Sequence, residues 1–130
     1  MVTNENGSRT AYSNTGMVAT AHYEASKIGA QILDKGGNAF DAAVAVGFAL
    51  GVCEPNASGI GGGGFMTAHC ATEKRNIFVD FREVAPMSAK PTMWKIGNDG
   101  EVIGKEKEEG GKSICVPGEV AGFCYILEKY

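Results

Sequence analysis

The sequence has no apolar run long enough to cross a bilayer. Its longest, Ala42 to Cys53, is twelve residues between Asp41 and Glu54, against the roughly 18 that a spanning helix needs. The first ten residues carry no apolar h-region, so no signal peptide is visible and a cytoplasmic location is favoured. An excess of one charge is also missing. Twelve Lys and Arg face fifteen Asp and Glu, a net charge of −3, which offers no footprint for nucleic acid or an anionic membrane. Cysteine is sparse: positions 53, 70, 115 and 124 form no C-x-x-C pair and no disulfide framework. They are expected to be reduced, small, buried groups. His22 and His69 each lack a second ligand at metal spacing. No metal or cofactor is expected. The sequons at Asn6 and Asn56 matter only in a secretory pathway.

What the chain has in quantity is glycine. Nineteen of 130 residues are glycine, about twice the usual ~7%. Ten of them lie between Gly29 and Gly64, so backbone geometry matters in one place. With 44% hydrophobic and 21% charged residues, the composition is that of a globular chain.

Residues 1–15 are polar and read as a flexible arm. Met17 to Thr20 is short and apolar, a candidate strand. Ala25, Ile28, Gly29, Ile32 and Leu33 follow helical spacing, and Gly36-Gly37 ends that helix. Asn38 and Asp41 form a capping pair for a second helix from about Ala39 to Cys53. That helix is apolar all round, which predicts burial. Its small stripe, Ala43, Gly47 and Gly51, lets another backbone come close. Phe65–Ala71 and Asn76–Phe81 read as two strands joined by a polar turn. Residues 86–112 read as a loop region with a turn at Asn98-Asp99-Gly100. Pro117-Gly118 opens a third helix with Val120, Phe123, Cys124 and Leu127 on one face. It reaches Tyr130 without a stop signal, which reads as truncation.

Gly59, Gly61 and Gly64 satisfy G-x-G-x-x-G, with Asp80 about twenty residues on. A dinucleotide cradle needs a strand before the glycines and a helix after them. Here the order is helix, glycines, strand, which argues against nucleotide. Arg82 is the sharpest single residue. It ends a strand close to the glycine segment. Two readings stay open: a substrate carboxylate held by paired hydrogen bonds, or an ion pair with Asp80 or Glu83.

Five blocks together resemble the gamma-glutamyltranspeptidase family. They are Gly16-Met17-Val18-Ala19-Thr20, Gly36 to Ala45, and Glu54-Pro55 with Gly59 to Met66. The other two are Asp80-Phe81-Arg82-Glu83-Val84-Ala85-Pro86 and Val116 to Phe123. The resemblance implies an α+β chain, the N-terminal fragment of a four-layer αββα sandwich of an N-terminal nucleophile hydrolase. Residues 16–130 would be a partial domain, the opening part of the large subunit. The remaining large- and small-subunit segments would be its partners. The reaction implied is attack by a threonine on a gamma-glutamyl amide such as glutathione. An acyl-enzyme then passes the group to water or an amine. No threonine here sits in the family's processing context, so the nucleophile is expected outside this chain and the fragment alone is expected to be inactive. Exported relatives usually carry a leader that is not visible here. Arg82 matches the family arginine that holds the substrate's alpha-carboxylate. A related acylase, such as a cephalosporin acylase, or a non-catalytic binding module are the alternatives.

Overall fold

The computed structural model describes residues 10–130. Residues 1–9, and with them the Asn6 sequon and most of the expected arm, lie outside the described residues. The elements are α1 (Tyr23–Asp34), α2 (Ala39–Cys53), β1 (Phe65–Cys70), β2 (Arg75–Asp80) and α3 (Glu119–Lys129).

Local signals set the helix ends. His22 caps α1, its Nδ1 accepting from the Glu24 N–H at 3.2 Å. Beyond α1, the Gly36 and Gly37 N–H groups donate back to the Leu33 and Ile32 carbonyls at 3.0 Å each. Gly36 has φ +92°, which only glycine adopts without strain. Asn38 then starts α2 with a reciprocal box. Its Oδ1 accepts from the Phe40 and Asp41 N–H groups, and Asp41 Oδ2 accepts from the Asn38 N–H.

The two helices pack where Gly29 faces Val46. A Cβ on Gly29 would lie 2.6 Å from Val46 Cγ2 and 2.9 Å from Val18 Cγ1. Met17–Thr20 is irregular chain with Val18 against α1, not the expected strand. A strand needs a neighbour's ladder of hydrogen bonds, and among the described residues none runs beside it.

β1 and β2 form an antiparallel hairpin, in register from Phe65 opposite Asp80 to Cys70 opposite Arg75. A lone hairpin is marginal in water. This one lays Cys70 and Ile77 on a core with Phe40, Val44, Phe123 and Ile126. Its outer face is open, where the exposed rings of Phe65 and Phe78 stack at 5.6 Å.

Three expectations are corrected by packing. First, α3 buries Glu119, Gly122, Phe123 and Ile126, so Val120, Cys124 and Leu127 face outward. The Phe123 ring fills the space left by Gly47 and meets Phe48 and Phe81 edge-on. That turns the helix by about one position from the most apolar face. Second, α2 is not buried all round: Phe48 and Val52 stay exposed, because the described elements cover only part of its circumference. Third, of the four free cysteines only Cys70 is buried, while Cys115 and Cys124 are exposed. Among the described residues no helix is long and apolar enough to cross a membrane.

Candidate functional site

Arg82 stands two residues beyond the end of β2, where three segments meet. Phe81 exchanges hydrogen bonds with Gly64 at 3.0 and 3.3 Å, carrying the ladder one pair past the strand ends. Asp80 Oδ1 then accepts from the Arg82 N–H at 2.9 Å and turns the chain out of the sheet. Val84 pairs with Val116 through two backbone bonds at 3.2 and 2.9 Å. The carbonyl of Gly62 accepts from both the Gly118 and Glu119 N–H groups, at 3.0 and 3.1 Å. Residues 59–64, 81–84 and 116–122 are thereby tied into one knot.

Clearance explains the glycines here. A Cβ on Gly63 would run into the Phe81 carbonyl and lie 2.9 Å from the Glu83 nitrogen. A Cβ on Gly118 would meet the same carbonyl and lie 2.9 Å from the Arg82 oxygen. Gly122 gives way to the Phe81 side chain. The backbone that carries Arg82 is gripped from both sides by residues without side chains. Of the stripe in α2, Gly51 does admit a backbone, the Cα of Gly59. Gly47 admits a ring instead, and Ala43 is exposed.

The Arg82 side chain is 57% exposed. Its Nε lies 3.3 Å from Glu83 Oε2, an ion pair without hydrogen-bond alignment. At that exposure the pair stabilises the fold by about 1 kcal/mol at most. The guanidinium carbon sits 5.9 Å from the Phe65 ring centre, at the edge of cation–π range. The ion-pair reading of Arg82 therefore holds toward Glu83, while more than half of the side chain stays open to solvent. Arg82 also lines an open groove of about 560 Å³ with Asp80, Val84, Val116 and Tyr125.

Glu119 has no local signal in the sequence, because a glutamate in the first turn of a helix is ordinarily solvated. It is nevertheless buried, 6% exposed, and its Oε1 has no hydrogen-bond partner. Burial raises its carboxyl above the ordinary value, with the Glu83 charge as the second cause. Both side chains come near Gly62, where a Cβ would lie 3.6 Å from Glu83 Oε1 and 3.7 Å from Glu119 Oε2.

The other candidates stay apart from this knot. His22 caps α1, and His69 Nδ1 pairs with Asn76 Oδ1 at 2.9 Å across the hairpin. Among the described residues no group of three or more His, Cys, Asp or Glu is placed to hold a metal ion. The glycine segment leads from α2 into β1. No helix N-terminus follows it to meet a pyrophosphate.

The fold is similar to that of solved proteins. Gamma-glutamyltranspeptidase of Helicobacter pylori superposes with a TM-score of 0.84 at 45% identity, covering 93% of this chain and 34% of that one. The class is thereby defined: an α+β part of an N-terminal nucleophile hydrolase. The gamma-glutamyltranspeptidase family model matches residues 25–130, and the chain belongs to that family. A glutathione hydrolase proenzyme of Pseudomonas sp. (strain A14) is 51% identical over 115 residues, 88% of this chain and 20% of the relative. An acylase ACY 1 proenzyme of Pseudomonas sp. (strain V22) is 41% identical over 125 residues, 92% of this chain and 22% of the relative. The chain thus spans about a fifth of the length of these relatives.

Proposed function

We propose that this chain is the opening part of the large subunit of a gamma-glutamyl hydrolase and transferase, and that Arg82 holds the alpha-carboxylate of the gamma-glutamyl group. The observation that carries this reading is the state of Arg82. Its backbone is packed between Gly63 and Gly118, and its side chain is 57% exposed and lines the open groove, with Glu83 Oε2 3.3 Å from Nε. Two parallel N–H···O bonds to a carboxylate suit its guanidinium fork. The substrate is a gamma-glutamyl amide such as glutathione. The nucleophile is a threonine contributed by sequence outside this chain. Its attack on the gamma-carbonyl expels the amine and leaves an ester, which water or an acceptor amine resolves.

In the full-length protein, Arg82→Ala raises KM for a gamma-glutamyl anilide by roughly 10- to 100-fold, since charged hydrogen bonds are worth about 1.5–3 kcal/mol. An unchanged kcat/KM overturns this role. The acylase relative at 41% identity supports a second reading, in which the acyl group is glutaryl. Both groups offer Arg82 a carboxylate, but only the gamma-glutamyl group has an alpha-amino group. Comparing the two anilides separates the readings.

A further inference from the structure

We propose that Asp80 is a positioning residue for Arg82: its carboxylate fixes the piece of backbone from which the guanidinium reaches substrate. The inference rests on the reading that Arg82 binds the substrate carboxylate. In an antiparallel pair, alternate residues turn their N–H groups away from the partner strand. Phe81 exchanges its bonds with Gly64, so the following N–H, that of Arg82, points away from β1. The β1–β2 ladder offers it no acceptor. Asp80 Oδ1 takes it instead, at 2.9 Å. A carboxylate accepting from a backbone N–H makes a charge-assisted bond, stronger than one between neutral groups. The next backbone anchor comes at Val84, which pairs with Val116. Between the Phe81–Gly64 rung and that bridge, the Asp80 bond closes the turn at Arg82.

Asp80 and Arg82 belong to one working face. Strand alternation puts Phe78 and Asp80 on the side of the hairpin opposite the buried Ile77. Phe65 stands opposite Asp80 in register, stacks on Phe78, and has the Arg82 guanidinium 5.9 Å from its ring centre. Asp80 is exposed and lines the same open groove as Arg82. Its removal therefore empties no core space. What it removes is the hydrogen bond that orients the Arg82 backbone. Any rotation there is magnified at the end of a long side chain, and paired bonds to a carboxylate are directional. Glu83 holds the side chain at Nε, and Asp80 holds the main chain behind it. A carboxylate remote from the bond being broken is held alike in the bound substrate and in the transition state, so the loss falls on KM.

The test uses the full-length protein with gamma-glutamyl p-nitroanilide. KM and kcat are measured for wild type, Asp80→Asn, Asp80→Glu, Asp80→Ala, Arg82→Ala and the double variant of Asp80→Ala with Arg82→Ala. Asparagine keeps the Oδ1 acceptor and loses the charge. Glutamate keeps the charge and carries its oxygens a methylene too far for the turn. Asp80→Ala and Asp80→Glu are expected to raise KM about three- to tenfold, with kcat within about twofold, because water replaces part of the lost bond. Asp80→Asn rescues, with KM within about twofold of wild type, since the neutral bond is the weaker kind. In the Arg82→Ala background, Asp80→Ala raises KM no further, because a residue acting through Arg82 has nothing left to act on. A wild-type KM in Asp80→Ala overturns the proposal. So does a rise in Asp80→Asn equal to that in Asp80→Ala, or an undiminished rise in the double variant. Should Asp80→Ala fail to fold, the contrast between Asp80→Asn and Asp80→Glu decides alone. If Arg82→Ala leaves KM unchanged, the carboxylate-binding reading itself fails, a result distinct from failure of the Asp80 variants.

Discussion

Glycine is plentiful in two regions of this chain, for opposite reasons. Around Arg82 the glycines are there because nothing else fits. Gly63 and Gly118 press on the Phe81–Glu83 backbone, and Gly122 presses on the Phe81 side chain. In the charged loop of residues 97–112 the space is mostly open. A Cβ on Gly100 or Gly111 would meet nothing within 4 Å, and what holds the loop is a set of exposed pairs such as Lys107–Glu101 and Lys112–Glu106. Gly100 is required for its φ of +82° at a turn. One region spends glycine on close approach, the other on backbone conformation. Only the first positions a candidate functional group.

The comparison breaks most visibly at Gly118. In the full-length protein Gly118→Ala is expected to cost about 3 kcal/mol or more, since a methyl must displace backbone rather than a flexible side chain. Denaturant midpoints measure it. A loss below 1 kcal/mol (roughly the cost of ordinary strain) would show that the knot yields.

The next effect depends on pH. The folded-state carboxyl of Glu119 is raised above its ordinary value of 4.5 by burial and then by Glu83. A group raised in this way adds stability below that value and loses it as pH rises through the folded value. Glu119→Gln should therefore gain in melting temperature over wild type as pH rises past that range, and the gap should close in acid. A gap independent of pH contradicts the assignment.

Smaller effects belong to the loop. Gly100→Ala forces an alanine into the left-handed region and costs about 1 kcal/mol. Gly111→Ala has open space and no such conformation, so it should lie within about 0.5 kcal/mol of wild type. Equal losses at Gly118, Gly100 and Gly111, by the same melts, would erase the distinction between the two regions.

Much of this was legible in the residues. The Gly36-Gly37 stop, the Asn38–Asp41 box and the span Ala39–Cys53 all depend on neighbours a few positions apart, and all are found. Arg82 was visible as a fork at a strand end, although its two readings were not separable by spacing. The face of α3 was misread because Val120, Cys124 and Leu127 are the more apolar choice. The helix instead turns Phe123 into the gap at Gly47, a contact 76 positions distant in the chain. Glu119 went unseen because a glutamate in the first turn of a helix is ordinarily solvated, and nothing near it in sequence announces its burial.

By itself the sequence determined the element ends and the order helix, glycines, strand, because caps and turns are short-range hydrogen bonds between neighbours. The tertiary structure alone decided which side of each glycine must stay empty and which glutamate loses its water. Those depend on segments 20 to 60 residues apart arriving at the same point around Arg82. The excess of glycine was plain in the composition, but its purpose became visible only where Phe81 and Arg82 are held between Gly63 and Gly118.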